Sequence, residues 1–236
     1  MSNELLLICS VLIIFGSVIL WYYWFDTNGL YCFMVFATIA ANIEVMVLVS
    51  AFGMEQTLGN IMFASTFLIT DILSEVAGKE KSKKAVKVGI VTSILFIIVS
   101  QLWLMYTPSA NDIVFESMKG VFSHTPRIML AGLLVYVMVQ YLDVCLYHKW
   151  WGWTTKKWGD SKRFLWLRNN LSTLVSQLCN AVLFTLGAFA GIYEMQTLVE
   201  IMISSYLIFI FTSLLDTPFL YLARAIKEKR EKSQLN

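Results

Sequence analysis

FLITDILSEVAGKEKSKKAVK, residues 67–87, decides how the rest of the chain is read. It opens as apolar helix. Two acids, Asp71 and Glu75, then appear four residues apart, a glycine follows, and five lysines crowd into residues 79–87. If the stretch is a membrane helix with a cytoplasmic stop, the chain has seven crossings. If the acids disqualify it, the chain has six, and its basic residues scatter across both membrane faces.

Composition favours lipid as the solvent. Of 236 residues, 58% are hydrophobic and only 14% charged, more apolar surface than a water-soluble domain of this size can bury. About 20 apolar residues cross a bilayer as a helix. That ruler predicts segments near 4–25, 30–51, 58–77, 86–106, 127–147, 169–192 and 197–223. Residues 79–87 hold five basic side chains, 149–168 hold six and 224–232 hold five, together all but two (Lys119 and Arg127) of the 18 in the chain. These clusters follow the third, fifth and seventh segments, so with seven crossings they share one face. The positive-inside rule makes that face cytoplasmic, with the N-terminus outside and the C-terminus inside. The expectation is an all-α integral membrane protein. It is one transmembrane domain over 1–236, with an additional N-terminal helix in 1–28, a core over 29–224 and a basic cytoplasmic tail over 225–236.

Several function classes are excluded. The net charge of +2 gives no basis for nucleic-acid binding. Cys9, Cys32, Cys145 and Cys179 lie singly in apolar runs, without zinc or disulfide spacing. Hydrolase, metalloprotease and P-loop motifs are missing, the only histidines are His124 and His148, and no cofactor is implied. An aspartate pair such as Asp71 and Asp143 has no protease motif around it. The segment WWGWTTKKWGDSKRFLWL, residues 150–167, carries five of the eight tryptophans and is expected to lie along the cytoplasmic interface.

Polar residues at bilayer depth are costly and mark function. Glu44, Asp71, Glu75, Gln101, Gln140, Asp143, Gln177, Asn180 and Asp216 are the candidates. Asp71 and Glu75 are one helical turn apart. Ser172, Thr173, Ser176, Gln177 and Asn180 form a polar stripe, followed by a G-x-x-x-G packing face at Gly187 and Gly191. Near the basic boundary, Glu75, Asp143 and Asp216 have a structural alternative, as ion-pair partners of the basic segments.

The runs AANIEV (40–45), FLITDILSEVAGKEKSKKAVKVG (67–89), RIMLAGLLVYVMVQYLDVCLY (127–147) and LWLRNNLSTLVSQLCNAVLFTLGAFAG (165–191) resemble the queuosine-precursor transporter family, also called the vitamin uptake transporter or YhhQ family. T-D-I-L-S-E-x-x-G-K, Q-Y-L-D-V and L-W-L-R-N-N-x-S-T-x-x-S-Q carry the match. The resemblance implies a bacterial inner-membrane importer of 7-deazaguanine bases (preQ0, preQ1 or queuine) with a six-helix core similar to the substrate-binding subunits of energy-coupling-factor transporters. The helix over 4–25 departs from that core, and Asn180 stands where the pattern leads one to expect Asp. The expected site lies between the second, third, fifth and sixth segments. Glu44, Asp71, Gln140, Gln177 and Asn180 line it, with Glu75 at its inner edge and Phe67, Trp103 and Phe184 stacking on the base. The expected partners are the small-molecule base, the lipid bilayer and a second copy of the chain. The competing readings are a substrate-binding subunit that docks a partner through Ala37 and Ala41, and a non-transporting assembly protein.

Overall fold

A computed structural model describes residues 2–45, 47–123, 126–160 and 162–234; His124 lies outside the described residues. Seven helices and one small hairpin are described: α1 (Asn3–Glu44), β1 (Leu48–Ala51), β2 (Met54–Thr57), α2 (Gly59–Ala77), α3 (Lys79–Leu104), α4 (Phe115–Phe122), α5 (Pro126–Trp158), α6 (Leu165–Phe189) and α7 (Met195–Gln234). All but α4 are long and apolar enough to cross a membrane.

The long α1 is two limbs. Asp26 has φ 54° and ψ −145°, which breaks the helix into 3–25 and 27–44. Asn3 Nδ2 donates to the Ser50 carbonyl at 2.8 Å, and Glu4 Oε1 accepts from the Phe52 amide at 3.1 Å. The start of the first limb therefore lies beside the hairpin that follows the second, so the limbs run antiparallel. At the bend, Arg230 donates to Asp26 and to the carbonyls of Tyr22 and Tyr23. Those last-turn carbonyls have no helical donor of their own. The first limb buries Leu7, Val11, Phe15, Val18 and Tyr22 at helical spacing, with Phe15 edge-on to Phe219. Counting both limbs, seven apolar segments cross, and the chain is a multi-pass membrane protein.

The lysine-bearing stretch at 67–87 divides between two helices. Gly78, with φ 86° and ψ 170°, occupies a backbone region open essentially to glycine alone, and it joins α2 directly to α3. The chain reverses there, and Ser82 Oγ donates to the Thr70 carbonyl at 2.9 Å. Tyr31 donates to Lys81, Lys162 pairs with Glu228, and Arg224 donates to the Lys162 carbonyl. These contacts gather the three basic segments at one end of the bundle.

α2 is the least apolar crossing because it is the central one. It packs against α1, α3, α5 and α7, and almost every residue from Ile61 to Glu75 is buried. The outer helices show the opposite pattern. On α3, Val91, Ile94, Leu95, Ile98 and Leu102 face outward, while Gly89, Ser93 and Ser100 face in. A helix ringed by protein can carry polar groups that lipid would expel.

Several boundaries differ from the sequence expectation. The second segment was expected to run to 51, but its helix ends at Glu44 and 48–57 form an antiparallel hairpin. Phe52 and Gly53 both have positive φ, as a two-residue hairpin turn demands. The lysines of 79–87 are the first turns of α3 rather than a loop, the tryptophan-rich stretch is helical to Trp158, and residues 225–234 continue α7. Hydropathy marks where a helix leaves lipid, not where its hydrogen-bond ladder stops.

Candidate functional site

A cavity of about 140 Å³ opens toward the end opposite the basic residues. The second limb of α1, α2, α5 and α6 contribute to its wall, and α3, α4 and α7 complete it. Phe63, Tyr136, Phe184 and Phe209 give it aromatic surfaces. Phe63 meets Tyr136 and Phe209 with ring centroids at 6.0 and 6.1 Å. Tyr136 is seated by a close approach of helices: a Cβ on Gly89 would lie 2.0 Å from its hydroxyl.

Three amides face this space. Asn42 Nδ2 donates to the Thr38 carbonyl at 2.7 Å, and Asn180 Nδ2 donates to Gln177 Oε1 at 3.1 Å. One N–H of each is held within the protein, which leaves its amide oxygen and second N–H. Asn60 is the converse: its Oδ1 accepts from Thr57 at 3.1 Å, while its buried Nδ2 has no partner. Neither Asn42 nor Asn60 stood out in the sequence. Both sit at helix ends, where an Asn ordinarily serves as a cap.

Of the residues expected from sequence, Asn180 and Phe184 are on the wall. Gln177 is buried behind Asn180. Gln140 lies beneath the floor, donating to Thr66 Oγ1 at 2.6 Å and accepting from Thr70 at 3.4 Å. Phe67 packs below with Val135 and Val139, against Phe63 and Phe184. Trp103 stands outside the wall, stacked edgewise on Phe122. Glu44 is half-buried and off the wall.

Asp71 is fully buried below this floor. Its Oδ2 accepts from Thr173 at 3.4 Å, and Asp143 Oδ1 accepts from Ser176 at 2.8 Å. Asp71 Oδ1 and Asp143 Oδ2 receive no N–H or hydroxyl donor, and the two carboxyls are hydrogen-bonding neighbours of each other. Asp216 accepts from Asn169 at 2.7 Å. Among the described residues, none of the ion pairs involves Asp71, Asp143 or Asp216. Asp143 and Asp216 therefore do not bridge to the basic segments, the structural alternative their position had suggested.

Glu75 does make ion pairs, though not with nearby Lys79. It accepts from Arg168 at 2.5 Å and Tyr147 at 2.9 Å, with Arg224 at 3.7 Å. Arg168 is fully buried, and its guanidinium lies 4.2 Å from the Trp151 ring centroid. This cluster ties α2, α5, α6 and α7 together at the basic end. A polar column thus runs from the cavity floor through Gln140, Asp71 and Asp143 to Glu75. The G-x-x-x-G reading is corrected. Gly187 packs inside the chain, where an added Cβ would meet Ala131 at 3.3 Å, and Gly191 lies beyond α6 with φ 80°.

Residues 57–223 match the family described as "Putative vitamin uptake transporter". The chain belongs to this vitamin uptake transporter family. It is also 37% identical to the "Probable queuosine precursor transporter" of Bacillus subtilis (strain 168), over 233 residues that cover 99% of this chain and 100% of that protein. No solved structure matches. Vitamin uptake transporters are transport proteins, not enzymes. The family match starts at Thr57, at the end of the hairpin, so it takes in α2 and all the crossings that follow but neither limb of α1.

Proposed function

We propose that this chain imports queuosine precursors, 7-deazaguanine bases, by binding the base in the cavity and passing it down the polar column toward the basic end. The observation that carries this reading is the hydrogen-bonding character of the cavity wall. The amides of Asn42, Asn60 and Asn180 line the cavity beside aromatic surfaces, and amides can both donate and accept. A 7-deazaguanine edge carries the complementary set, N1–H and a 2-amino group as donors and a carbonyl as acceptor. Below the floor, the neighbouring carboxyls of Asp71 and Asp143 would accept from the same N–H groups as the base moves inward.

The test is uptake of labelled preQ0 and preQ1 into cells that cannot make queuosine, read as queuosine in tRNA, with and without this chain. No gain in uptake would end the reading. Activity of the purified chain alone in liposomes would separate it from a substrate-binding subunit. The structure offers that alternative little: Ala37 is fully buried and Ala41 lines the cavity, so neither forms a free docking face. An assembly protein has no use for an amide-lined cavity with aromatic walls.

We place the basic end in the cytoplasm of a bacterial inner-membrane protein, from the excess of Lys and Arg there. A cysteine at exposed Glu80, in a variant lacking Cys9, Cys32, Cys145 and Cys179, should resist an impermeant thiol reagent in intact cells and react after permeabilisation. Labelling in intact cells would reverse the orientation. Ser82, in the same basic segment, is fully buried and unsuited to the experiment.

A further inference from the structure

We infer that Asp216, together with the amide of Asn169, is a proton site on α7 beside the substrate route, and that import is coupled to it, one proton entering with each base. The inference rests on the import reading above and adds the ion that drives it.

Asp216 is the buried acid that the polar column leaves unused. It accepts from Asn169 Nδ2 at 2.7 Å. The other end of that same amide, Asn169 Oδ1, is fully buried and receives no donor. An ionised carboxylate only accepts, so it cannot serve this oxygen, whereas a protonated carboxyl has one O–H to give. The orphaned acceptor beside the acid is filled when Asp216 holds a proton.

The helices packed around Asp216 bring negative charge or none. α5 brings Asp143 and α2 brings Asp71, both electrostatic neighbours of this acid. α6 brings the neutral amides of Asn169 and Asn170, both of which also donate to Thr217. α1 brings the ring of Phe15, edge-on to Phe219 one turn along α7. The cations of the basic end on these helices, Arg168 and Arg224, pair with Glu75, which Tyr147 also contacts. Three acids thus share a dry interior with no cation among their ion-pair partners, and every ionised charge there is costly. A proton is the smallest cation that lifts the cost. Among the described residues, no three Asp, Glu, His or Cys side chains come together as ligands for one metal ion, so the acids act singly, as proton carriers do, and not as a sodium cage.

Coupling follows from the neighbouring route. Asp71 and Asp143 serve the N–H groups of the base best as carboxylates, because protonation takes away acceptor capacity. Ionised acids on the route make a proton on Asp216 more favourable, and by linkage that proton favours the loaded route to the same degree. The loaded, protonated interior is the state that crosses. The proton comes from water at the cavity end and leaves with the base at the basic end.

The experiment uses the full chain in liposomes, with membrane potential clamped at zero and labelled preQ0, an uncharged base, outside. A gradient of one pH unit, acid outside, should concentrate the base inside by up to about tenfold, since one unit is worth about 1.4 kcal/mol per proton. A pH dye inside should report acidification when the base is added. Asp216→Asn should bring the ratio of uptake with and without the gradient to about one, and Asp216→Glu should keep it raised. Asn169→Ser, which withdraws the waiting acceptor, should lower the ratio in the same way and serves if Asp216→Asn does not fold. Uptake by the parent that ignores the pH gradient, or that follows a sodium gradient instead, would overturn the inference and leave the import reading intact. A parent that responds while Asp216→Asn responds equally would overturn the role of Asp216. No uptake under any gradient would bring down the import reading and this inference with it.

Discussion

Asp71→Asn is expected to slow import of queuosine precursors by roughly 5- to 150-fold while the protein still inserts and folds. That range corresponds to about 1–3 kcal/mol for an opposed buried hydrogen bond. Asp71 lies five residues beyond Thr66 on α2, about 7–8 Å farther from the cavity floor at the helical rise. Its Oδ2 accepts from Thr173 at 3.4 Å, and its carboxyl is a hydrogen-bonding neighbour of the Asp143 carboxyl. A transported base brings N–H donors that this pair of carboxyls can accept. Asparagine keeps the shape and replaces one acceptor with a donor that faces the base's own N–H. The measurement is initial uptake rate beside thermal unfolding of the purified variant. If Asp71→Asn imports at the parent rate with equal expression, Asp71 is a structural residue and the proposed route misses it.

Glu75→Gln is expected to lower stability by about 3–5 kcal/mol, as removal of one partner from a buried ion pair does. Arg168 is fully buried and depends on Glu75 for its counter-charge, at 2.5 Å. Arg168 also reaches Tyr147 at 3.4 Å, the Arg163 carbonyl at 3.2 Å and the Trp151 face. The variant removes the carboxylate that lies 2.5 Å from this buried cation. The double variant Glu75→Leu/Arg168→Met removes both charges and should recover much of the loss, because the pair costs desolvation as well as supplying attraction. Unfolding in detergent of the parent, both single variants and the double variant measures this. A Glu75→Gln protein as stable as the parent would show that Arg224 and Tyr147 do not need the carboxylate and that the cluster is not what fastens the basic end.

The number of crossings, the common face of the basic segments and the family were legible in the sequence. Each depends on quantities that accumulate along the chain: apolar run length, lysine position, motif spacing. The residues 67–87 that open the reading show the limit. Their acids say that α2 is not lipid-facing, but four helices around it, not its own sequence, bury Asp71 without a cation and give Glu75 one from Arg168, 93 residues away. Asn180 could be read as a neutral position, yet which face of α6 meets the cavity depended on packing. Asn42 and Asn60 could not be found at all, because an amide at a helix end looks the same whether it caps a backbone or faces a ligand. Periodicity and hydropathy are set locally. Which unpaired amide or carboxylate faces an open space is set by side chains brought together from distant helices, and only the tertiary structure decides it.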